Sequence, residues 1–598
     1  MLTGVDWVAL GALAAALIAS ALAWRDARAG RSRRAAAWLA LAALCLRSAP
    51  AARFSLAPWD ERFHALVAKN ALAHPLPPML IAEPLRETAA ADWRHAHVWL
   101  HKPPLPFWLM AGSMKLAGVN EIALRLPSLI LSSLSVFLTF ALARRFVSER
   151  AAVAAAAFQA WSGRGILLAA GLRATDHVDT LMTFAIALGA LAAVRVSEAL
   201  AVKRPAAWLE VAAVGMATGT ALLVKDAPAL IVPAFFFFCL LQRTETSWTE
   251  RLVAPALAGV VALVVVAPWQ IYTATQFPEL AAVMRARGAQ YFTRVVDEHG
   301  GPWYFHLANL ARHFGVLTPI PVALFCARAL VGGRALLPLF GWFALVYGLF
   351  TLAATKMEAY VFIASPVVFI ALGWFVCDAL AAGAGLGLRT ARGLVSIGLV
   401  LGALAGVWAA LDVFEPRLRD PLWARELRWL GAQVEKLPGP KRVVFGVPWP
   451  IECMFYGSAT CIAGPPSEAD LVRARELGFS VAEYGEATDA RVSAIPFDPR
   501  TRPARRLVAQ LQNAGVKQPL IFNAADAAEL DAYLGRFLRR ISVSGDLPEP
   551  NRKLARKLAR GSTLVMLVAP GESAPEAVSR TFPDALVIDD AHYGRSTR

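Results

Sequence analysis

Hydrophobic positions in this chain fall in long unbroken runs. They do not alternate as in a half-buried strand or form the one-sided stripe of a water-soluble helix. About 18 or more apolar residues are enough to cross a bilayer as a helix. Runs at 5–23, 35–50, 126–143, 151–171, 179–195, 207–224, 227–241, 252–272, 303–328, 335–354, 358–380 and 393–413 predict about twelve transmembrane helices with soft ends. The first run lacks a basic start and leads into "RDARAGRSRR", which predicts a retained span, not a cleaved leader.

Two regions depart from this pattern. Residues 51–125 are too long for an ordinary connection. They hold amphipathic stretches such as "ERFHALVAKNALAH" and "LPFWLMAGSMKLAG", which suit short helices lying in the membrane interface. After 413 the runs shorten. "KRVVFGV" (441–447), "PLIFNA" (519–524) and "STLVMLVA" (562–569) read as strands, and 468–478 and 524–538 as helices. The fold expected is an all-α polytopic membrane bundle over 1–413, with interfacial helices in 51–125 forming a cap, and a soluble α/β domain over 414–598. That domain has no glycine-rich nucleotide-binding loop.

Composition supports the membrane reading. The 598 residues are 57% hydrophobic and 17% charged, against roughly 25% charged in soluble proteins. The net charge of +16 fits basic cytoplasmic loops. No interleaved basic and aromatic stripe favours nucleic acid. Arginine and lysine concentrate in alternate loops, at 25–34, 144–150, 195–204, 242–251 and around Arg328 and Arg334. That sorting puts 51–125, 172–178, 225–226, 273–302, 355–357 and everything after 413 outside the cytoplasm. All ten histidines fall on or near that side, although histidine played no part in the sorting. Cys45, Cys239, Cys326 and Cys377 sit in apolar runs as packing residues. Cys453 and Cys461 can bridge if the tail lies in an oxidising compartment, though spacing alone does not fix the geometry.

Charged residues at a membrane edge are costly unless water, a partner or a ligand holds them. Several gather on the outer side. "PWDERFH" supplies Asp60 and Glu61, and "HVWLHKPPLPFWL" presents His101 and Lys102 ahead of two prolines that forbid helix. "GLRATDHVDTLMTF" places Arg173, Asp176, His177 and Asp179 at the mouth of a span. "LLVKDAP" adds Lys225 and Asp226, "DEHGGPWY" adds Glu298 and His299, and "ATKMEAY" adds Lys356 and Tyr360. Singly, each reads as a helix start, a cap or a snorkelling lysine. Together they predict a site for an anionic, lipid-borne substrate.

The order of these pieces, with "HKPPLPFWLMAGSMKLAGVNEIALRLPS" the most specific, resembles the ArnT-like and protein O-mannosyltransferase group of GT-C membrane glycosyltransferases over roughly residues 55–370. The resemblance implies a GT-C-like bundle in a bacterial inner membrane, with its active site and α/β domain on the periplasmic side. It implies transfer of a hexosyl or pentosyl group from a polyprenyl-phosphate donor to a lipid, protein or glycan acceptor. Asp60 matches the family's essential acid in the first outer loop. Asp179 best matches the second acidic position, with Asp176 as the alternative and Glu61 beside Asp60. Lys102, Lys225 and Lys356 match basic positions facing the donor phosphate, with Arg173 and Tyr360 nearby. Two positions depart from the pattern. His101 stands where a glutamate often precedes K-P-P, leaving His101 and His299 as the candidate ligands of a divalent metal (Zn, Mg or Mn). Asp226 stands where glycine is usual. A transporter or flippase for a lipid-linked anion is the alternative class; it calls for polar groups near the midplane and repeated halves, and no repeat is evident.

Overall fold

The structure is a computed structural model. It describes residues 6–595 apart from 174–176, 333, 380–384, 412, 414–418, 486, 539 and 548–551. The chain divides into two compact units. One comprises Met1–Ala52, Ala57–Ala82 and Thr88–Phe414; the other Arg53–Leu56, Glu83–Glu87 and Glu415–Arg598.

The first unit is all helical. It opens with α1 (Trp7–Arg28), α2 (Ser32–Ala51), α3 (Asp60–Asn70), α4 (Leu105–Ala117), α5 (Glu121–Ala143), α6 (Glu149–Ala160), α7 (Gly163–Ala169), α8 (His177–Ala201) and α9 (Ala207–Leu222). It continues with α10 (Ile231–Gln242), α11 (Trp248–Gln276), α12 (Pro278–Thr293), α13 (Phe305–Phe314), α14 (Pro319–Val331), α15 (Leu337–Leu352), α16 (Ser365–Cys377) and α17 (Leu386–Leu411). Local sequence sets the starts. Asp6 Oδ1 accepts the backbone N–H groups of Val8 and Ala9 at 3.0 and 3.1 Å. Asn120 caps α5, and Ser247 with Glu250 forms a capping box on α11.

Among the described residues, seven helices are long and apolar enough to cross a membrane, or eight if α13 and α14 form one span bent by 119°. The chain is therefore a polytopic helical membrane protein. Several of the expected runs differ in detail. The 151–171 run is broken between α6 and α7, because Ser162 leaves the helix and caps α7 through the Gly165 N–H. The 303–328 run bends at the turn from Gly315 to Thr318. The 207–224 and 227–241 runs form apolar helices below full spanning length. Small residues allow close helix approach. A Cβ on Gly163 would lie 2.3 Å from the Gly406 carbonyl oxygen, joining α7 to α17, and one on Gly373 would lie 2.2 Å from that of Ala151, joining α16 to α6.

The second unit contains α18 (Leu422–Val434) and two four-stranded, all-parallel sheets. The first has β1 (Arg442–Phe445), β2 (Thr460–Cys461), β3 (Ser480–Tyr484) and β4 (Ser493–Ile495). The second has β5 (Pro519–Phe522), β6 (Ser542–Val543), β7 (Thr563–Val568) and β8 (Leu586–Asp589). Their strand orders are β2-β1-β3-β4 and β6-β5-β7-β8, so the two sheets repeat one topology that the sequence did not reveal. Cys453 and Cys461 are disulfide-bonded. Glu83–Glu87 groups with this unit because Leu85 packs beside Val443 and Phe445, and Arg86 forms a two-pronged ion pair with Asp470 at 2.7 Å.

Candidate active site

Asp60 and Glu61 open α3, where acidic residues oppose the helix dipole. Adjacent helical residues do not share a face, and here they have separate fates. Glu61 is fully buried. Its carboxylate accepts from Arg125 Nε at 2.7 Å and Nη2 at 3.0 Å, from His177 Nε2 at 3.0 Å and from the Ala57 N–H at 2.6 Å. Arg125 also donates to the Ala51 carbonyl at 2.8 Å. Burial pushes the Glu61 carboxyl pKa up, but Arg125 and His177 outweigh it and hold the group below the usual range. Gly171, at positive φ, lies against this cluster; a Cβ there would meet Glu61 Oε1 at 2.4 Å. The cluster fastens α3 to α2, α5 and α8. Glu61 is therefore held apart from Asp60, within the contacts between helices.

Asp60 keeps 30% side-chain exposure and accepts from Lys102 Nζ at 2.7 Å. One helical turn on, His64 lies on the same face, and its Nε2 accepts from Lys102 at 2.9 Å. The prolines at 103 and 104 hold Lys102 ahead of α4, so the lysine is presented from a stiff segment. Asp179, in the first turn of α8, is almost fully buried and accepts from Lys225 Nζ at 2.6 Å. Lys225 Nζ lies 5.2 Å from the centre of the Tyr360 ring, a cation–π distance. The Tyr360 hydroxyl is within electrostatic reach of both Asp60 and Asp179. Tyr291 joins the group through interactions with Lys102 and Arg287.

The other expected residues sort differently. Lys356 is buried and donates to the carbonyls of Phe350, Thr351 and Ala353 at 3.1, 2.5 and 2.5 Å. It caps the end of α15, so its expected contact with a donor phosphate is replaced by a structural one. Arg173 is exposed, within electrostatic reach of Arg164. Asp176 lies outside the described residues.

His101 stacks on Trp93 at 4.4 Å and meets the edge of Trp99 at 5.5 Å. Burial between the indoles, with Lys102 next, pushes its pKa down to about 3. His299 is exposed; its carbonyl accepts the Lys356 N–H at 2.7 Å and its own N–H donates to the Val296 carbonyl at 3.1 Å. No three histidine, cysteine or carboxylate side chains among the described residues are grouped to hold a metal. The donor set among the described residues does not fit the expected His101–His299 site.

Sequence reasoning missed His64, Arg125, Tyr291 and Arg287. His64 had a readable signal, the i, i+4 spacing from Asp60. Arg125 stood inside "NEIALRLPS" without a visible partner. Asp297 and Glu298 adopt positive φ, at 50° and 62°, strain of the kind that gathers at functional sites. Asp297 pairs with Arg287 at 2.9 Å.

The same unit holds an apolar groove of about 390 Å³. It is lined by Leu105, Leu131, Leu181, Leu188, Met216 and Val224 among others, many of them on α8, and three of these stand one to three positions along the chain from Lys225, Asp179 and Lys102.

A family model described as dolichyl-phosphate-mannose-protein mannosyltransferase matches residues 101–272, a span containing His101, Lys102, Asp179 and Lys225. An undecaprenyl phosphate-α-4-amino-4-deoxy-L-arabinose arabinosyl transferase of Pseudomonas aeruginosa is 28% identical over 358 residues, covering 56% of this chain and 60% of that protein. A Pseudomonas fluorescens protein of the same description is 26% identical over 352 residues, covering 57% and 61%. The chain thus spans about 60% of the length of these curated relatives. The crystal structure of ArnT from Cupriavidus metallidurans bound to undecaprenyl phosphate superposes with a TM-score of 0.51 at 16% identity, covering 76% of this chain and 88% of that one; this likeness is one of fold. In sequence the chain is thus similar to arabinosyl transferases of this description and, over residues 101–272, to the mannosyltransferase family model, and in fold to ArnT.

Proposed function

We propose that the protein is a membrane glycosyltransferase that moves a sugar from a polyprenyl-phosphate donor to an acceptor. The observation that carries this reading is the pair of lysine–aspartate contacts, Lys102–Asp60 and Lys225–Asp179, in a unit that also holds an apolar groove lined by their chain neighbours Leu105, Leu181 and Val224. An isoprenoid tail suits the groove, and a phosphate suits the two ammonium groups. The relatives' described donor, an undecaprenyl-phosphate-linked sugar, is of this class.

In the reaction, the bond from the anomeric carbon to the phosphate oxygen breaks and a bond to the acceptor oxygen forms. Charge grows on the departing phosphate, which Lys102 and Lys225 stabilise. Each lysine is already paired with an aspartate. A donor phosphate that draws Lys102 away leaves Asp60 with less cation beside it and so more basic. Asp60 then takes the proton of an acceptor hydroxyl, or orients an acceptor phosphate that has no proton to give. Asp179 positions Lys225, which also lies over the Tyr360 ring. The acceptor is a lipid, a protein or a glycan.

Twelve crossings, the reading over 1–413, follow if α2, the α6–α7 pair, α9 and α10 span with the longer helices. Basic residues in alternate loops support a bacterial inner-membrane topology with the lysine–aspartate pairs on the periplasmic side. The Cys453–Cys461 disulfide supports a periplasmic 414–598 domain.

The test is transfer by purified protein in lipid from a panel of labelled polyprenyl-phosphate sugars, with tails of full length and of two or three isoprene units. Transfer that falls with tail length, and falls again for the full-length donor in Leu188→Trp, is expected. Folded protein that consumes no donor contradicts the reading.

A further inference from the structure

The second unit carries a basic surface that its own acids leave unpaired. The helix Arg552–Ala559 and the turn after it run "RKLARKLARGS", with five cations and no acid. Lys553, Arg556, Lys557 and Arg560 fall at i, i+3, i+4 and i+7, so they share one face, and all four are exposed. Among the described residues none of the four is in an ion pair, whereas the exposed Arg491, Arg500 and Arg580 of the same unit each pair with a carboxylate. Lys517, also exposed, stands at the same end of the sheet as Arg560: the carbonyl of the next residue, Gln518, accepts the N–H of Thr563 at 2.9 Å, where β7 begins.

Two ordinary explanations fall short. Cations suit the last turn of a helix, which accounts for Arg556, Lys557 and Arg560. Lys553 lies in the first turn, where a cation opposes the helix dipole. The other explanation is an amphipathic helix lying in the membrane interface, which would enter lipid with its apolar face. Here Leu554 and Leu558 are taken up by the core with Leu520, Leu564 and Met566. The apolar face is spent on the sheet, so whatever surface this helix meets, it meets with charge.

We propose that this stripe docks the second unit onto the anionic lipid headgroups of the bilayer that the first unit spans. Charge complementarity selects the partner, since clustered lysines and arginines near a phosphate-rich surface are each attracted to it. The chain keeps that surface close. α17, long and apolar enough to cross the membrane, ends at Leu411, and α18 starts at Leu422, so the unit is tethered a short step along the chain from the bilayer and weak contacts suffice. Because no apolar group inserts, the docking is reversible and gives way to salt. It needs neither the lysine–aspartate pairs nor sugar transfer.

The experiment is amide hydrogen exchange of the full chain in nanodiscs of phosphatidylcholine with and without phosphatidylglycerol. Exchange across 552–561 should slow roughly fivefold in the anionic discs, the effect of a modest attraction to the surface, and the slowing should vanish in about 1 M salt. A variant combining Lys553→Gln, Arg556→Gln, Lys557→Gln and Arg560→Gln should exchange alike in both lipids. Equal exchange of the wild type in the two lipids overturns the proposal, as does slowing that the combined variant keeps. Equal slowing by inorganic phosphate in discs of phosphatidylcholine alone assigns the stripe to free phosphate and overturns it too. Should the combined variant not fold, the lipid and salt series on the wild type decides alone.

Discussion

Asp60 and Glu61 are neighbours with nearly the same chemistry, yet one belongs to the candidate active site and the other to the scaffold. Glu61 is fully buried and held by Arg125, His177 and a backbone N–H. Asp60 is partly exposed and held by Lys102 on a stiff loop. A single helical step of about 100° separates them. Lys225 and Lys356 form a parallel contrast. Lys225 is partly open beside Asp179 and Tyr360, whereas Lys356 spends its protons on the end of α15. A charge near a membrane edge does not declare its role; what it already satisfies does.

The largest effect expected is on the scaffold side. Arg125→Met leaves the Glu61 carboxylate buried without its main partner, a loss of about 3–5 kcal/mol, read as a collapse of folded yield and melting temperature in detergent. Adding Glu61→Gln removes the stranded charge and should restore part of that loss. Because the Glu61 carboxyl is held below its usual range in the fold, its contribution is present above the unfolded carboxylate pKa and lost as pH falls through the folded value.

On the catalytic side, Asp60→Asn should leave stability within about 1 kcal/mol while transfer drops by about 10²–10⁴. Normal transfer by a folded Asp60→Asn would break the contrast. A smaller effect separates the lysines. Lys225→Met should raise the KM for donor by about tenfold, the loss of one charge-assisted hydrogen bond. Lys356→Met should lower the melting temperature and leave that KM unchanged. The smallest effect concerns His101. Its folded pKa of about 3 lies below the ordinary 6.5, so between these values the unfolded chain takes a proton that the folded one refuses. Wild type therefore loses stability as pH falls from 6.5 toward 3. His101→Phe keeps the stacking on Trp93 and should flatten that part of the pH profile in thermal unfolding.

Much of the bundle was legible because a bilayer demands long apolar runs, and those runs became helices. Breaks were harder to read. Ser162 interrupts a continuous apolar stretch by capping α7, and neither it nor the bend before α14 carries a hydropathy signal. In the second unit, the three strands read from sequence, Arg442–Phe445, Pro519–Phe522 and Thr563–Val568, are the inner strands β1, β5 and β7 with long apolar runs. The two-residue β2 and β6 at sheet edges are too short to show a period. At the site, Asp60, Lys102, Asp179 and Lys225 were legible as charges in improbable places. Their pairing was not, since Lys102 reaches Asp60 across 42 positions and Lys225 reaches Asp179 across 46. Glu61 and Lys356 differ from them in what they already satisfy: Glu61 is held by Arg125 and His177, and Lys356 by the carbonyls that end α15, partners that sequence spacing does not show.

The most direct test of the central claim is the initial rate of sugar transfer from a full-length polyprenyl-phosphate donor by wild type, Asp60→Asn and Glu61→Gln, in lipid and at matched amounts of folded protein. The account predicts that Asp60→Asn is well folded and nearly inactive, and that whatever fraction of Glu61→Gln folds retains most of the wild-type rate per folded molecule. A folded, active Asp60→Asn beside a folded, inactive Glu61→Gln would contradict it.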